Sequence, residues 1–229
     1  MGTYGETRER LETYFDRTAA DTWARLTSDA PVSKIRQTVR AGRDAMRAAM
    51  MATLPDDLTG RRILDAGAGA GQMTIELAER GADVVSTDIS PSLLDVAKRR
   101  TPDHLLPRIR FVAGDMLDPY LGAFDHVMSM DSLIHYRADD IGVALAGLAE
   151  RTSRSVVFTI APSTMFLKAF WAMGQVFPRS DRSPQIIPHS DRRIAGEVAR
   201  HDVLAPFALK RIERVASGFY ISQAMELSK

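Results

Sequence analysis

No cysteine occurs in this chain. Disulfides and thiolate metal sites are therefore excluded. Net charge is nearly absent as well: 30 Lys and Arg against 29 Asp and Glu leave +1, with neither a basic tail nor an acidic run. Such a balance gives no reason to expect nucleic acid as a partner. Long apolar runs are missing too. A spanning helix needs roughly 20 apolar residues, but the most apolar stretch, Met165 to Phe177, is interrupted by Lys168, Gly174 and Gln175. The opening residues Met-Gly-Thr-Tyr-Gly-Glu are polar and carry no signal-peptide pattern. The expectation is a cytoplasmic protein that touches a membrane at most peripherally.

What remains is 229 residues, 45% of them apolar, enough for one large domain with additions. Residues 1–54 read as a helical cap. Tyr14 and Phe15 fall in a first helix, Trp23 and Leu26 in a second, and Ser33 to Met51 in a long third with Ser33 as its cap. An α/β core follows over 55–162, where strands at about 61–66, 83–87, 109–113, 124–130 and 155–160 alternate with helices at 72–79, 91–99 and 139–151. Alternation of this kind implies a doubly wound parallel sheet. Residues 163–190 read as an apolar insertion forming a lid. A helix at about 191–200 and two strands at 207–215 and 219–227 complete the chain.

The most informative segment is Ile63-Leu64-Asp65-Ala66-Gly67-Ala68-Gly69-Ala70-Gly71. A buried strand ends in a turn whose glycines let backbone approach a ligand. A dinucleotide fingerprint would need its third glycine at position 72, which is Gln72. The Gly-x-Gly-x-Gly pattern with Asp65 ahead of it resembles the first motif of class I S-adenosylmethionine-dependent methyltransferases. Asp65 is placed for the ammonium of a methionine moiety. Asp88, followed by Ile89, ends the second strand where an acid can accept both ribose hydroxyls. Gly114-Asp115-Met116 follows the third, with Asp115 for the adenine amino group and Met116 against the ring. Each element alone is a common turn; their order after three consecutive strands makes the cofactor reading.

Ligands of open α/β sheets sit outside the carboxyl ends of strands, so Met130, Asp131, His135 and Tyr136 fall near the transferring methyl. His126 lies within the strand and reads as structural. An amine, alcohol or carbon acceptor needs a base, for which His135 is suited. A carboxylic acid acceptor is already ionised at neutral pH. It needs positioning, desolvation and a donor instead.

Beyond these motifs, Tyr14-Phe15, Trp23-Ala24-Arg25, Val39-Arg40-Ala41-Gly42, Ser132-Leu133-Ile134-His135-Tyr136, Ala161-Pro162-Ser163-Thr164 and Gly218-Phe219-Tyr220-Ile221-Ser222 resemble the magnesium-protoporphyrin IX O-methyltransferases of chlorophyll and bacteriochlorophyll synthesis. The resemblance spans about residues 12–228. It implies a Rossmann-like, mostly parallel seven-stranded sheet with an antiparallel C-terminal hairpin. It also implies methyl transfer to one propionate of magnesium protoporphyrin IX, giving the monomethyl ester and S-adenosylhomocysteine. Members of that family often carry Cys where Ala68 stands, a Tyr near Thr27 and a His where Arg43 stands. Tyr14 and His135 are then the catalytic candidates, with Arg40 directed at the cofactor. Asp131, Tyr136, Phe166 and Phe170 are candidates for the substrate wall. His189 reads as structural, with the porphyrin magnesium as its functional alternative, and no protein-bound metal is expected. A magnesium chelatase subunit is a candidate partner, and a photosynthetic membrane a candidate surface. Two other readings stay open: a quinol or phenol O-methyltransferase, and a catalytically silent porphyrin-binding module.

Overall fold

The computed structural model describes residues 3–16, 34–163 and 185–229. The second helix read around Trp23, the cap at Ser33, and the stretch from Met165 to Phe177 with Phe166 and Phe170 lie outside them. Strands β1 (Arg62–Ala66), β2 (Asp83–Asp88), β3 (Ile109–Ala113), β4 (Phe124–Ser129), β5 (Thr152–Ile160), β6 (Ala208–Ser217) and β7 (Tyr220–Ser228) form one sheet, in the order β3-β2-β1-β4-β5-β7-β6. The first five run parallel, and β7 joins β5 and β6 antiparallel. This is the fold that the resemblance implies.

The parallel strands read as unbroken apolar runs because both faces are covered. Side chains alternate: Leu64, Val85, Val127 and Phe158 enter one core, Ile63, Val84, Met128 and Val157 the other. Helix α1 (Tyr4–Tyr14) starts with a capping box, in which Thr3 and Glu6 each satisfy the other's backbone N–H. Helix α2 (Lys34–Met51) packs against β6 and β7. Helices α3 (Gln72–Glu79) and α4 (Pro91–Arg100) follow β1 and β2, and α5 (Ala138–Ala149) precedes β5. Ser90 caps α4, accepting from Leu93 N, and Pro91 occupies its first turn. Helix α6 (Asp191–Val198) packs on α5.

Boundaries move by a few residues from the sequence reading. Strand β5 starts at Thr152 because its first residues pair beside β4 through an irregularity between Phe124 and His126. Helix α1 starts at Tyr4, where the Thr3–Glu6 capping box fixes its first turn. Both ends of the apolar insertion return to the sheet: His189 N–H donates to the Ala161 carbonyl, and Ser163 N–H to that of His189. His189 is buried and bonds the Tyr136 carbonyl at 2.9 Å. It holds a wall of the fold together.

Candidate active site

The glycine turn is built from three left-handed residues: Gly67 (φ 82°), Gly69 (54°) and Gly71 (82°). L side chains pay for that region. Two of the three are also crowded, since a Cβ on Gly67 would come within 2.5 Å of Ser132 Cβ, and one on Gly71 within 2.7 Å of Ala97 Cβ. Gly67 therefore lets β1 abut the loop after β4, and Gly71 lets the start of α3 lie on α4. Gly69 has open space instead.

Outside the carboxyl ends of the strands lies a cavity of about 310 Å³. At one end are the three acids. Asp65 is fully buried at the end of β1, accepts from Thr74 Oγ1 at 2.5 Å, and has no cationic partner among the described residues. Burial is the main reason its carboxyl is pushed up to about 7, with nearby Asp88 adding to the rise. Burial without a cationic neighbour among the described residues suits this carboxylate to a cationic ligand. Asp88 accepts from Gly69 N–H at 2.8 Å and Ser90 N–H at 2.9 Å. A carboxylate has about four acceptor positions, so two remain for a pair of hydroxyls. Asp115 accepts from Tyr4 OH and Leu117 N–H on Oδ1 and from Arg8 Nη1 on Oδ2, each at 2.9 Å. One acceptor position is left on Oδ2. These donor and acceptor counts fit the ammonium, ribose and adenine of S-adenosylmethionine.

The other end carries His135, Tyr14, Phe15, Ile186 and Phe219. Nδ1 of His135 lies 3.2 Å from the Gln185 carbonyl. A carbonyl only accepts, so Nδ1 bears the proton and Nε2 the lone pair. Burial holds this imidazole below its ordinary pKa. Phe15 packs on it at 5.9 Å between ring centroids. Asp131 sits just past β4 at φ 55°, the non-glycine left-handed residue among those described. Its carboxylate accepts from Arg43 Nη1, Tyr220 OH, Ser222 Oγ and Thr159 Oγ1.

Tyr14, Asp65, Gly67, Gly69, Asp88, Ile89, Asp115, Met116, Met130, Asp131, His135 and Tyr136 thus line one cavity. Gly71 and Arg40 do not. Gly71 acts one step back through helix packing, and Arg40 is half-buried on α2, which reaches the cavity through Val39, Arg43 and Arg47. Sequence reasoning missed Tyr4 and Arg8, which bind Asp115 from one face of α1, with Tyr4 stacked on Tyr136 at 4.9 Å. The Thr3-x-x-Glu6 capping signature together with the i,i+4 spacing was the available signal.

Comparison with known proteins accords with this geometry. A family model described as the magnesium-protoporphyrin IX methyltransferase C-terminus matches residues 129–229, and a methyltransferase-domain model matches 63–154. The chain is 57% identical over 224 residues, 97% of each protein, to the magnesium-protoporphyrin O-methyltransferase of Rhodobacter capsulatus. It belongs to the magnesium-protoporphyrin O-methyltransferase family. The Synechocystis enzyme of that name is 28% identical over 93% of this chain and 92% of its own length. A crystal structure of the Synechocystis PCC 6803 enzyme with bound S-adenosylhomocysteine superposes with a TM-score of 0.81 at 26% identity, over 97% of this chain and 99% of that one. The protein is accordingly a class I S-adenosylmethionine-dependent methyltransferase. Among the described residues no group of three or more His, Asp or Glu is placed to hold a metal ion. No helix among them is long and apolar enough to cross a membrane.

With Asp65 as the acceptor for the cofactor's ammonium, cofactor binding is expected to depend on pH. With its pKa near 7, about one molecule in eleven carries the anion at pH 6. Affinity for S-adenosylhomocysteine is expected to be roughly 10-fold weaker at pH 6 than at pH 8, a slope that titration calorimetry reads directly. Asp65→Asn should bind weakly and without that slope. Stability moves the other way. The folded pKa lies above the ordinary carboxylate value of 3.8, so this group's contribution is complete below about pH 4 and is lost as pH rises through about 7.

Proposed function

We propose that the protein esterifies one propionate of magnesium protoporphyrin IX, giving the monomethyl ester. The observation that carries this is a cavity running from the three acids to His135 among the described residues, in a chain 57% identical over 97% of its length to an enzyme of that name. When bound, S-adenosylmethionine supplies an electrophilic methyl on a sulfonium. Asp65, Asp88 and Asp115 fix its ammonium, ribose and adenine, which leaves the methyl facing the acceptor end.

A propionate has a pKa near that of Glu, about 4.3, and arrives as the anion. The walls from Phe15, Tyr14, Ile186 and Phe219 strip water from it, which makes its oxygen a better nucleophile. His135 arrives neutral, and the approaching anion raises its pKa so that Nε2 takes a proton and donates to the carboxylate. Should the acid form enter, the same Nε2 accepts its proton. Tyr14 borders the same space as a second donor. The C–S bond then breaks toward sulfur as the O–CH3 bond forms. Phe166 and Phe170, in the apolar insertion, are assigned to the porphyrin wall, and Tyr136 to the floor. Magnesium is substrate here. Delivery from a chelatase subunit and peripheral contact with a photosynthetic membrane fit a poorly soluble porphyrin, and both belong to this reading.

The test is incubation of the full chain with S-adenosylmethionine and magnesium protoporphyrin IX, with metal-free protoporphyrin in parallel. Monomethyl ester formed from the magnesium porphyrin is the expected product; its absence overturns the reading. His135→Ala is expected to lower turnover by about 10²- to 10⁴-fold, with S-adenosylhomocysteine affinity unchanged within about 2-fold. Full turnover in that variant would remove the catalytic role of His135.

A further inference from the structure

Three buried or half-buried acids line the cofactor end. Among the described residues lining the cavity, Arg43 and Arg47 come from α2, and Arg43 is tied to the His135 end through Asp131, whose charge acts on His135. Arg47 is committed to Glu76 at 2.5 Å and Asp44 at 2.9 Å. Arg43 is held differently. Its Nη1 meets Asp131 Oδ2 at 2.5 Å, with the side chains only 17% and 7% exposed.

Asp131 has four donors, so its acceptor positions are filled before any substrate arrives. The hydroxyls of Tyr220, Ser222 and Thr159 share the carboxylate with the guanidinium of Arg43 and disperse its charge. The assembly is also costly to build. A buried ion pair rarely stabilises a fold more than apolar packing does, and Asp131 adds left-handed strain. Gly42 makes it possible, because a Cβ there would meet Tyr220 Cδ1 at 2.6 Å. The close approach of α2 to β7 sets both Arg43 and the Tyr220 hydroxyl on Asp131.

We infer that Arg43 is the carboxylate-binding residue of the acceptor end, held at the cavity wall by Asp131 and selecting an anionic over an uncharged acceptor. The inference rests on the porphyrin propionate reading above and names the group that recognises the propionate. A planar guanidinium presents paired N–H donors to a carboxylate, and a cation at this end complements an anionic acceptor as the acids complement a cationic cofactor.

The test compares two ligands on the full chain saturated with S-adenosylhomocysteine: magnesium protoporphyrin IX with free propionates, and its uncharged dimethyl ester. Affinities are read by fluorescence quenching for wild type, Arg43→Lys and Arg43→Gln. Wild type is expected to prefer the free acid by about 10- to 100-fold. In Arg43→Gln that preference falls to within about 2-fold of unity through loss of the acid alone, while ester affinity holds; Arg43→Lys keeps part of it. A parallel loss of both affinities in Arg43→Gln, or an undiminished preference, overturns the role. Where Arg43→Gln no longer binds S-adenosylhomocysteine, Arg43→Lys decides: a preference reduced about 3-fold or more supports the role, an unchanged one overturns it. Wild type binding neither porphyrin would defeat the porphyrin reading itself, and Arg43 with it.

Discussion

Gly67→Ala is expected to lose S-adenosylhomocysteine affinity by at least about 100-fold and to destabilise the fold by about 2–5 kcal/mol. Two costs add. A side chain at φ 82° pays the left-handed penalty of about 1–2 kcal/mol. Its Cβ would also sit 2.5 Å from Ser132 Cβ, a contact that forces the β4 loop aside at a further cost of about 1–3 kcal/mol. That loop carries Asp131 and His135, and Ser132 Oγ donates to the Ala66 carbonyl at 3.1 Å. Displacing it disturbs both ends of the cavity. Gly69→Ala is the matched control, with positive φ but open space around its Cβ. It should cost only about 1–2 kcal/mol in stability. Thermal melts and calorimetric titration of the two variants separate strain from crowding. Equal effects would remove the packing role assigned to Gly67.

Asp131→Ala is expected to cost about 3–5 kcal/mol, because it strands the Arg43 guanidinium in a wall where that side chain is 17% exposed. The Tyr220 and Ser222 hydroxyls lose their acceptor in the same step. For a domain of this size about 1 kcal/mol lowers the melting temperature by roughly 2–4 °C, so a fall of about 6–20 °C is expected. Asp131→Asn keeps an acceptor oxygen for the hydroxyls and should lose less. Arg43→Gln combined with Asp131→Ala should recover part of the loss, since no charge is then left alone. Strictly additive melting shifts would show that the ion pair is not what Asp131 supports.

How much was legible without coordinates follows from how local each signal is. The strand-turn-helix order and the three acids were readable because each depends on residues within a few positions of one another. Asp65, Asp88 and Asp115 end consecutive parallel strands, and parallel pairing puts those ends on one edge of the sheet. The antiparallel ending was readable from the turn at Gly218 between two strand patterns, and both β6 and β7 are there.

Roles that depend on partners far along the chain were not readable. The sequence places Asp131 at a strand end but shows none of the four donors from α2, β5 and β7 that meet its carboxylate. Arg40 and Arg43 share a helix three residues apart, and only the docking of α2 on β7 at Gly42 chooses Arg43 for the cavity. Tyr4 and Arg8 reach Asp115 across more than a hundred residues. Local order along the chain therefore sufficed for the fold and for placing the three acids and His135 at the strand ends that line the cavity, because backbone geometry and strand-end placement follow from neighbouring residues. Charge pairing at the acceptor end was decided in three dimensions, where the packing of one helix settles which side chain loses water and which acid it meets.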